Sequence, residues 1–503
     1  MRPLEFLSLS VLAVTLVAIT ITWSKRPRWL RFLPAFPAIV LLFQVVIEGY
    51  RWQMLPAYAL GVIVFLAGLP TMIRGHQPAT SIRRRRVTNA LAIIASFAGL
   101  YILWLTVELC VQLPVFKMPV PSGPHSVGTR TFLLVDENRI DDDSPIENGF
   151  RTMSIQAWYP ATLSGEEERV SYLQPDIRNE LEELNGPSAW FISYQDLIQT
   201  NTYWDAGIAE ADEQFPVILY SPSGNASLHK ILFEELASQG YVVVSISHPH
   251  WSNVLFDDQG HVIPQGGVGE RYQAWFREAD KLTVRSAQGQ INSVDDISVV
   301  EQAQKNLNRA RPLAIAELRQ WAEDQGFVID QLSEMNQPEG FFAGQIDLSR
   351  IGIMGFSLGG ATAGQFCVTD SRCQAGINVD GFMFGDILDN NLQVPFMFFH
   401  SSNPGVQPVG ALFYDWAESD AYMLQIADAS HHDLGAPAPN GQPIILQLEF
   451  GFGQFPDGAY LAQIMNDYIT AFFDKHLKNE PAPLLDGPPP YPEIQLFMTK
   501  DES

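Results

Sequence analysis

Four uncharged, almost wholly apolar stretches open the chain: residues 6–23, 32–47, 54–73 and 88–107. A helix rises 1.5 Å per residue, so roughly 20 apolar residues cover the ~30 Å hydrocarbon layer of a bilayer. The pattern predicts a four-helix transmembrane region over residues 1–118, with 32–47, the shortest stretch and the one carrying two prolines, as its weakest member. The run Pro119-Val120-Pro121-Ser122-Gly123-Pro124 then reads as a linker, and the periodicity changes beyond it. Phe132–Val135 and Ser154–Trp158 read as early strands. Pro216–Tyr220 and Tyr241–Ile246 read as buried parallel strands with a helix near 227–238 between them. A largely polar insertion over 252–345 supplies a helix at 312–335. The short apolar runs Ile351–Met354, Ala375–Val379, Val394–Phe399 and Tyr422–Ile426 follow. Strands separated by helical lengths predict an α/β domain with a mostly parallel sheet over 119–503. The Pro-rich stretch after Glu480 reads as irregular.

Charge sharpens this division. Residues 1–118 carry 12 Lys and Arg against 3 Asp and Glu, whereas the remainder carries 19 against 53, within a net charge of −25. So acidic a body repels phosphate, which excludes a nucleic-acid-binding role. Three cysteines exclude a disulfide-dense scaffold and a four-cysteine zinc site. Ser24-Lys25-Arg26 offers no small-residue cleavage site, so the first apolar stretch reads as an uncleaved helix. The basic residues gather in two loops, Lys25, Arg26, Arg28 and Arg31 in one, Arg74 and Arg83 to Arg86 in the other. Positive charge favours the cytoplasmic side, and with four crossings both loops fall there. The N-terminus and the acidic body are then extracytoplasmic; without a crossing at 32–47 the body would face inward. No charge sits near the middle of any stretch, which suits an anchor better than an ion pathway.

The sharpest chemical signal is Gly355-Phe356-Ser357-Leu358-Gly359-Gly360, between the strand Ile351–Met354 and a helix of small residues from Ala361. That context suits a nucleophile elbow, in which a tight strand-to-helix turn projects a serine at the top of a sheet. A serine hydroxyl is a weak nucleophile and needs a base that a carboxylate orients, in the chain order Ser, acid, His. Asp380, ending the strand 375–379, is the leading acid, with Asp415, Glu418 and Asp420 as alternatives. His431 is the leading base, ahead of His432. The neighbouring trio His431, His432 and Asp433 lacks ligand spacing, so no metal is expected there. Two backbone N–H groups should bind the oxyanion, that of Leu358 and one from Ser221-Pro222-Ser223-Gly224-Asn225, with Gly224 preferred to Ser223. His248-Pro249-His250 reads as pocket lining, and Gly266-Gly267-Val268-Gly269 as plain loop. Cys367 and Cys373, six residues apart, are a candidate short-loop disulfide outside the cytoplasm.

Several of these segments resemble one family. Ile353 to Gly360, Ala375-Gly376-Ile377-Asn378-Val379-Asp380-Gly381, and the opening Phe132-Leu133-Leu134-Val135-Asp136 with Ala157-Trp158-Tyr159-Pro160-Ala161 are similar to the plasma-type platelet-activating factor acetylhydrolases, over roughly residues 125–475. The resemblance implies an α/β-hydrolase fold and a calcium-independent serine esterase that removes short or oxidised acyl groups from phospholipids. It also implies Ser357, Asp380 and His431 as triad, with Leu358 and Gly224 as oxyanion donors. Two positions depart from the family pattern. Phe356 stands where a histidine often precedes the serine, and Pro222-Ser223-Gly224-Asn225 stands for a His-Gly-x-Gly loop. The expectation is a membrane-anchored serine ester hydrolase without cofactor, acting on lipid or short-chain esters, with the 252–345 insertion as lid and acyl pocket. Its rivals are a membrane binding or sensory protein on a degenerate hydrolase body, and a peptidase or acyltransferase of the same fold.

Overall fold

A computed structural model describes the chain except residues 22–27, 75–81, 143, 145, 147–148, 175–176, 180–185, 211, 224–228, 253, 265–273, 275–276, 279–296, 403–406, 436–454, 456 and 501–503. Two compact units result: residues 1–116 with 194–198, and residues 117–193 with 199–503.

In the first unit the apolar stretches are helical: α1 (Pro3–Ile21), α2 (Ala35–Glu48), α3 (Leu55–Arg74) and α4 (Ile82–Gln112). Their small shared core includes Leu12, Leu16, Leu41, Ala57, Leu60 and Leu103. Large apolar side chains such as Leu42, Val46, Ile73 and Phe97 point outward, as lipid-facing residues do. Among the described residues three helices are long and apolar enough to cross a membrane, not four. Helix α2 has 14 residues, about 21 Å at the helical rise, short of the ~30 Å layer. The expectation of a fourth spanning-length helix over 32–47 is therefore corrected: Pro34 and the short helical turn Arg28–Phe32 delay the start of α2.

One end of this bundle is polar. Glu5 of α1 and Arg51, which follows α2, are both buried and paired at 3.0 Å. Arg51 Nη2 donates to the Cys110 carbonyl of α4 at 3.1 Å, and the backbone N–H of Leu4 donates to Glu48 of α2 at 2.7 Å. The start of α1, the ends of α2 and α4, and the approach to α3 thus share one end.

The second unit is built on a sheet. Its strands are β1 (Ser126–Ile140), β2 (Phe150–Thr162), β3 (Arg169–Ser171), β4 (Gln199–Trp204), β5 (Gly207–Ile208), β6 (Phe215–Ser221), β7 (Val242–Ser247), a separate hairpin β8 (Val254–Phe256) and β9 (Val262–Pro264), then β10 (Ile346–Phe356), β11 (Ala375–Val379), β12 (Phe396–His400), β13 (Ala421–Ile426) and β14 (Ile494–Lys500). The order is β14-β13-β12-β11-β10-β6-β7-β2-β1-β4-β3, with β5 on β2. Strands β7, β6 and β10 to β13 run parallel, whereas β2 and β14 flank them antiparallel. The helices are α5 (Lys230–Ser238), α6 (Ile297–Ala310), α7 (Pro312–Met335), α8 (Leu358–Thr369), α9 (Gln407–Trp416), α10 (His431–Gly435), α11 (Gly458–Leu477) and α12 (Pro483–Asp486).

The continuous apolar runs are explained by burial on both faces. Alternate residues of each strand enter different cores. Val217 and Leu219, with Ile351 and Ile353, meet Val328, Ile329 and Leu332 of α7 and Phe366 of α8. Ile218 and Tyr220, with Met354 and Phe356, meet Phe233 of α5 and Ile464, Tyr468 and Phe472 of α11. The insertion therefore divides: α6 and α7 are part of the packed layer rather than a lid, while much of 265–296, including Gly266 to Gly269, lies outside the described residues. The stretch after Glu480 also differs from expectation. It forms α12 and the edge strand β14, which pairs antiparallel with β13. Leu485 and Ile494 are buried, and that burial orders a tail whose prolines suggested none.

Candidate active site

The parallel register brings the carboxyl ends of β6, β10, β11 and β12 to one edge. Phe356 pairs with Val379, so the residues that follow them, Ser357 and Asp380, leave adjacent strands side by side. Ser357 has φ +57° and ψ −119°, a conformation costing about 1–3 kcal/mol that only its surroundings maintain. The turn is tight because the helix lies directly on the strand. A methyl group at Gly355 would fall 2.2 Å from the Gly359 carbonyl carbon, and one at Gly359 would fall 1.7 Å from the Ser221 carbonyl oxygen. Leu358 opens α8, so its N–H belongs to the first turn, whose donors have no intrahelical acceptor.

Asp380 is buried, and three donors converge on it. Its Oδ1 accepts from the Ser401 N–H at 2.8 Å. Its Oδ2 accepts from the Ser401 hydroxyl at 2.8 Å and lies 2.6 Å from His431 Nδ1. Burial alone would raise its pKa, but the hydrogen bond and charge of His431, with smaller help from His400 and Ser401, pull it below the usual carboxylate value. His431 Nε2 lies 3.1 Å from Ser357 Oγ. Ser357, Asp380 and His431 are thus within hydrogen-bond reach in one line, although 23 and 51 residues separate them along the chain.

The other candidates fall elsewhere. Asp415 and Glu418 are exposed, and Asp420 precedes β13 at the opposite edge of the sheet. His432 is exposed beside His431, and Asp433 accepts from Ser430 N at 2.8 Å and caps its own turn. Gly224 lies outside the described residues, and Ser223 is the last described residue before it. Cys367 and Cys373 are joined as a disulfide between the end of α8 and the approach to β11, with Cα atoms 5.1 Å apart. Among the described residues no three His, Cys, Asp or Glu side chains are grouped to hold a metal.

Three further residues, Phe356, His229 and His248, complete the surroundings; the sequence points to Phe356 only as a departure from the family pattern and to His248 as pocket lining, and carries no sign of His229. Phe356 stacks on the His431 ring, with centroids 4.6 Å apart and planes inclined by 27°. His229, at the start of α5, bridges Tyr220 Oη at 2.6 Å and the Leu434 carbonyl at 2.7 Å, tying the turn of His431 to β6. His248 is fully buried, and Trp251, Leu318, Trp321 and Phe384 form an apolar cluster with Leu358. No spacing signals any of these contacts, because each joins segments distant in sequence.

The platelet-activating factor acetylhydrolase, isoform II family model matches residues 112–406, which include Ser357 and Asp380 and stop short of His431. The chain is 23% identical over 296 residues to a probable 1-alkyl-2-acetylglycerophosphocholine esterase of Arthroderma benhamiae, across 55% of this chain and 62% of that one. It is 22% identical over 380 residues to the platelet-activating factor acetylhydrolase of Cavia porcellus, across 72% and 78% of the two chains. The match thus spans about three fifths of the fungal relative. The solved structure of a ferulic acid esterase from Streptomyces cinnamoneus aligns with TM-score 0.56 at 22% identity, over 76% of this chain and all of that one, and is alike in its fold. With the mostly parallel sheet and its covering helices, this establishes the α/β-hydrolase fold. More than half of the sequence lies within the family match, and the chain belongs to the platelet-activating factor acetylhydrolase, isoform II family.

Proposed function

We propose that this protein is a serine ester hydrolase of lipid or short-chain acyl esters, with Ser357 as nucleophile, His431 as general base and Asp380 as its orienting acid. The reading is carried by the continuous line from Asp380 Oδ2 through His431 to Ser357 Oγ, at 2.6 and 3.1 Å. An ionised Asp380 accepts the Nδ1–H of His431, which leaves Nε2 free to take the Ser357 proton as Oγ attacks the ester carbonyl. The developing oxyanion is met by the Leu358 N–H, with a second donor expected from the loop of Gly224. His431 then protonates the leaving alcohol, and water activated by the same ring releases the acid from the acyl-enzyme. Membership of a family whose relatives carry acetylhydrolase and glycerophosphocholine esterase names supports an ester over an amide. The test is a chain-length series of p-nitrophenyl and phospholipid esters with wild type and Ser357→Ala. Loss of about 10⁴-fold or more in the variant is expected, since such residues act as a unit. Turnover retained by the variant, or matched amides cleaved as readily as esters, would count against it.

We further propose that the catalytic unit lies outside the cytoplasm, on the side of the N-terminus: α2 alone is shorter than a full span, yet with the turn Arg28–Phe32 it returns the chain to the end where α1 begins and α4 stops. Arg51 contacts both Glu5 of α1 and Cys110 of α4, which puts the two ends of the anchor together. The basic loops lie at the other ends of the helices, where positive charge favours the cytoplasm. A disulfide at Cys367 and Cys373 suits an oxidising compartment. A C-terminal alkaline phosphatase fusion should be active; an inactive one, with a fluorescent green protein fusion, would reverse the orientation.

A further inference from the structure

A second serine–histidine–carboxylate array lies one strand away from Ser357, and it is closed to solvent. Ser221 ends β6, paired with Gly355 of β10. Its Oγ lies 3.0 Å from His248 Nε2, and His248 Nδ1 lies 2.8 Å from Asp324 Oδ2. All three residues are at most 1% exposed, so no ester reaches Ser221 and the array is not a second active centre.

The proton positions follow from the partners. Asp324 accepts from Arg151 Nε and Nη2 and from Arg139 Nη1, each at 2.7 Å. An ionised carboxylate only accepts, so His248 Nδ1 carries a proton and donates to it. Trp321 stacks flat on the imidazole, with centroids 3.9 Å apart and planes 7° from parallel, and burial keeps the ring neutral. Nε2 must then accept, so the Ser221 hydroxyl donates to it while accepting from Gln325 Nε2 at 2.9 Å. One arrangement of hydrogens satisfies Ser221 and His248 together. It binds β1 through Arg139, β2 through Arg151, the end of β7 through His248, and α7 through Asp324 and Gln325 to the last residue of β6.

That residue bears on the reacting serine. The Ser221 carbonyl oxygen rests against Gly359 so closely that an added methyl group would fall 1.7 Å from it, and the chain runs on from Ser221 into the loop of Gly224. We infer that Ser221, His248 and Asp324 are positioning residues for the reaction at Ser357: they fix the end of β6, and through it the first turn of α8 and the entry to the oxyanion loop. The inference rests on the reading of Ser357 as nucleophile.

The test uses the full chain in detergent micelles. Ser221→Ala removes one hydroxyl and almost no volume. Its kcat on p-nitrophenyl acetate should fall about 10- to 100-fold, the scale of a misplaced rather than a missing catalytic group. KM should move less than about threefold, because ground-state binding is untouched. A trifluoromethyl ketone, whose adduct copies the tetrahedral oxyanion, should lose affinity by the same factor as kcat. His248→Asn, too short to reach Ser221, should behave alike; if it fails to fold, Ser221→Ala decides alone. A lower thermal midpoint in Ser221→Ala with unaltered kcat and ketone affinity would overturn the inference, leaving a merely structural array. Ser357→Ala run in parallel separates the two readings. Activity persisting there sinks the nucleophile assignment, whereas an inert Ser357→Ala beside a wild-type-like Ser221→Ala sinks the positioning role alone.

Discussion

Replacing Asp380 by asparagine changes one atom and reverses one hydrogen bond. The Ser401 N–H can only donate, and it points at Oδ1 from 2.8 Å. The amide oxygen of the substituted side chain must therefore take the Oδ1 place, which turns the NH₂ toward the Oδ2 partners. The Ser401 hydroxyl can rotate to accept from it. His431 Nδ1, 2.6 Å away, can accept only by moving its proton to Nε2, which then points at Ser357 Oγ across 3.1 Å. An imidazole in that tautomer cannot take the serine proton. The loss expected is about 10⁴-fold in kcat, near 5 kcal/mol of barrier, for a base held in the wrong tautomer. KM should stay nearly constant, because no group that binds the ester is altered. The assay is steady-state hydrolysis of p-nitrophenyl acetate by the purified variant, with a thermal scan to show that the body is folded. Asp415→Asn, Glu418→Gln and Asp420→Asn serve as comparators that leave the rate unchanged. A folded Asp380→Asn within about tenfold of wild type would refute the reasoning, since an orienting acid outside the line Ser357–His431 cannot fix the tautomer.

Three further outcomes are expected. Burial lowers the pKa values of His229 and His400 to about 4 from an ordinary 6.5. The unfolded chain therefore takes up protons first as pH falls through 6.5, and stability complete above that value drains away toward pH 4, by about 2 kcal/mol per histidine at pH 5. The depressed carboxylates Asp324 and Asp380 add their loss only below their ordinary 3.8, so a urea midpoint that stays flat from pH 7.5 to 5 would contradict burial of the two rings. Gly359→Ala drives a methyl group onto the Ser221 carbonyl and should cost about 2–3 kcal/mol in overpacking, together with most of the activity; a wild-type thermal midpoint and rate would mean the helix does not press on β6. Cys367→Ser with Cys373→Ser opens a loop with a sequence separation of 6 and should lower stability by about 2 kcal/mol on the loop-entropy scale, while leaving kcat on p-nitrophenyl acetate intact, and an unchanged midpoint would show that the bond is not formed.

Much of the sheet was legible because its strands are buried on both faces. A run such as Val242–Ile246 is apolar but for Ser245, and Ala375–Val379 begins and ends where its composition changes. The elbow was legible for a steric reason: glycines stand at 355 and 359 where helix meets strand with no room for a methyl group. Strand β14 was hidden behind prolines, although its Ile494, Leu496 and Met498 alternate as an edge strand should. The shortfall of α2 was hidden because apolarity marks a stretch but not where a helix begins. Least legible were the contacts of His229 and His248. Leu434 lies 205 residues from His229, and Asp324 lies 76 from His248. Only the folded sheet edge brings such partners together, and a lone histidine in sequence carries no sign of which carbonyl or carboxylate will meet it.

The central claim is that Ser357 is an activated nucleophile, and a fluorophosphonate probe reads this most directly. The full-length protein should take up one equivalent of label, located by peptide mass spectrometry on Ser357, and His431→Ala should label slowly if at all. No uptake by the wild type, or a label found on any residue other than Ser357, would contradict it.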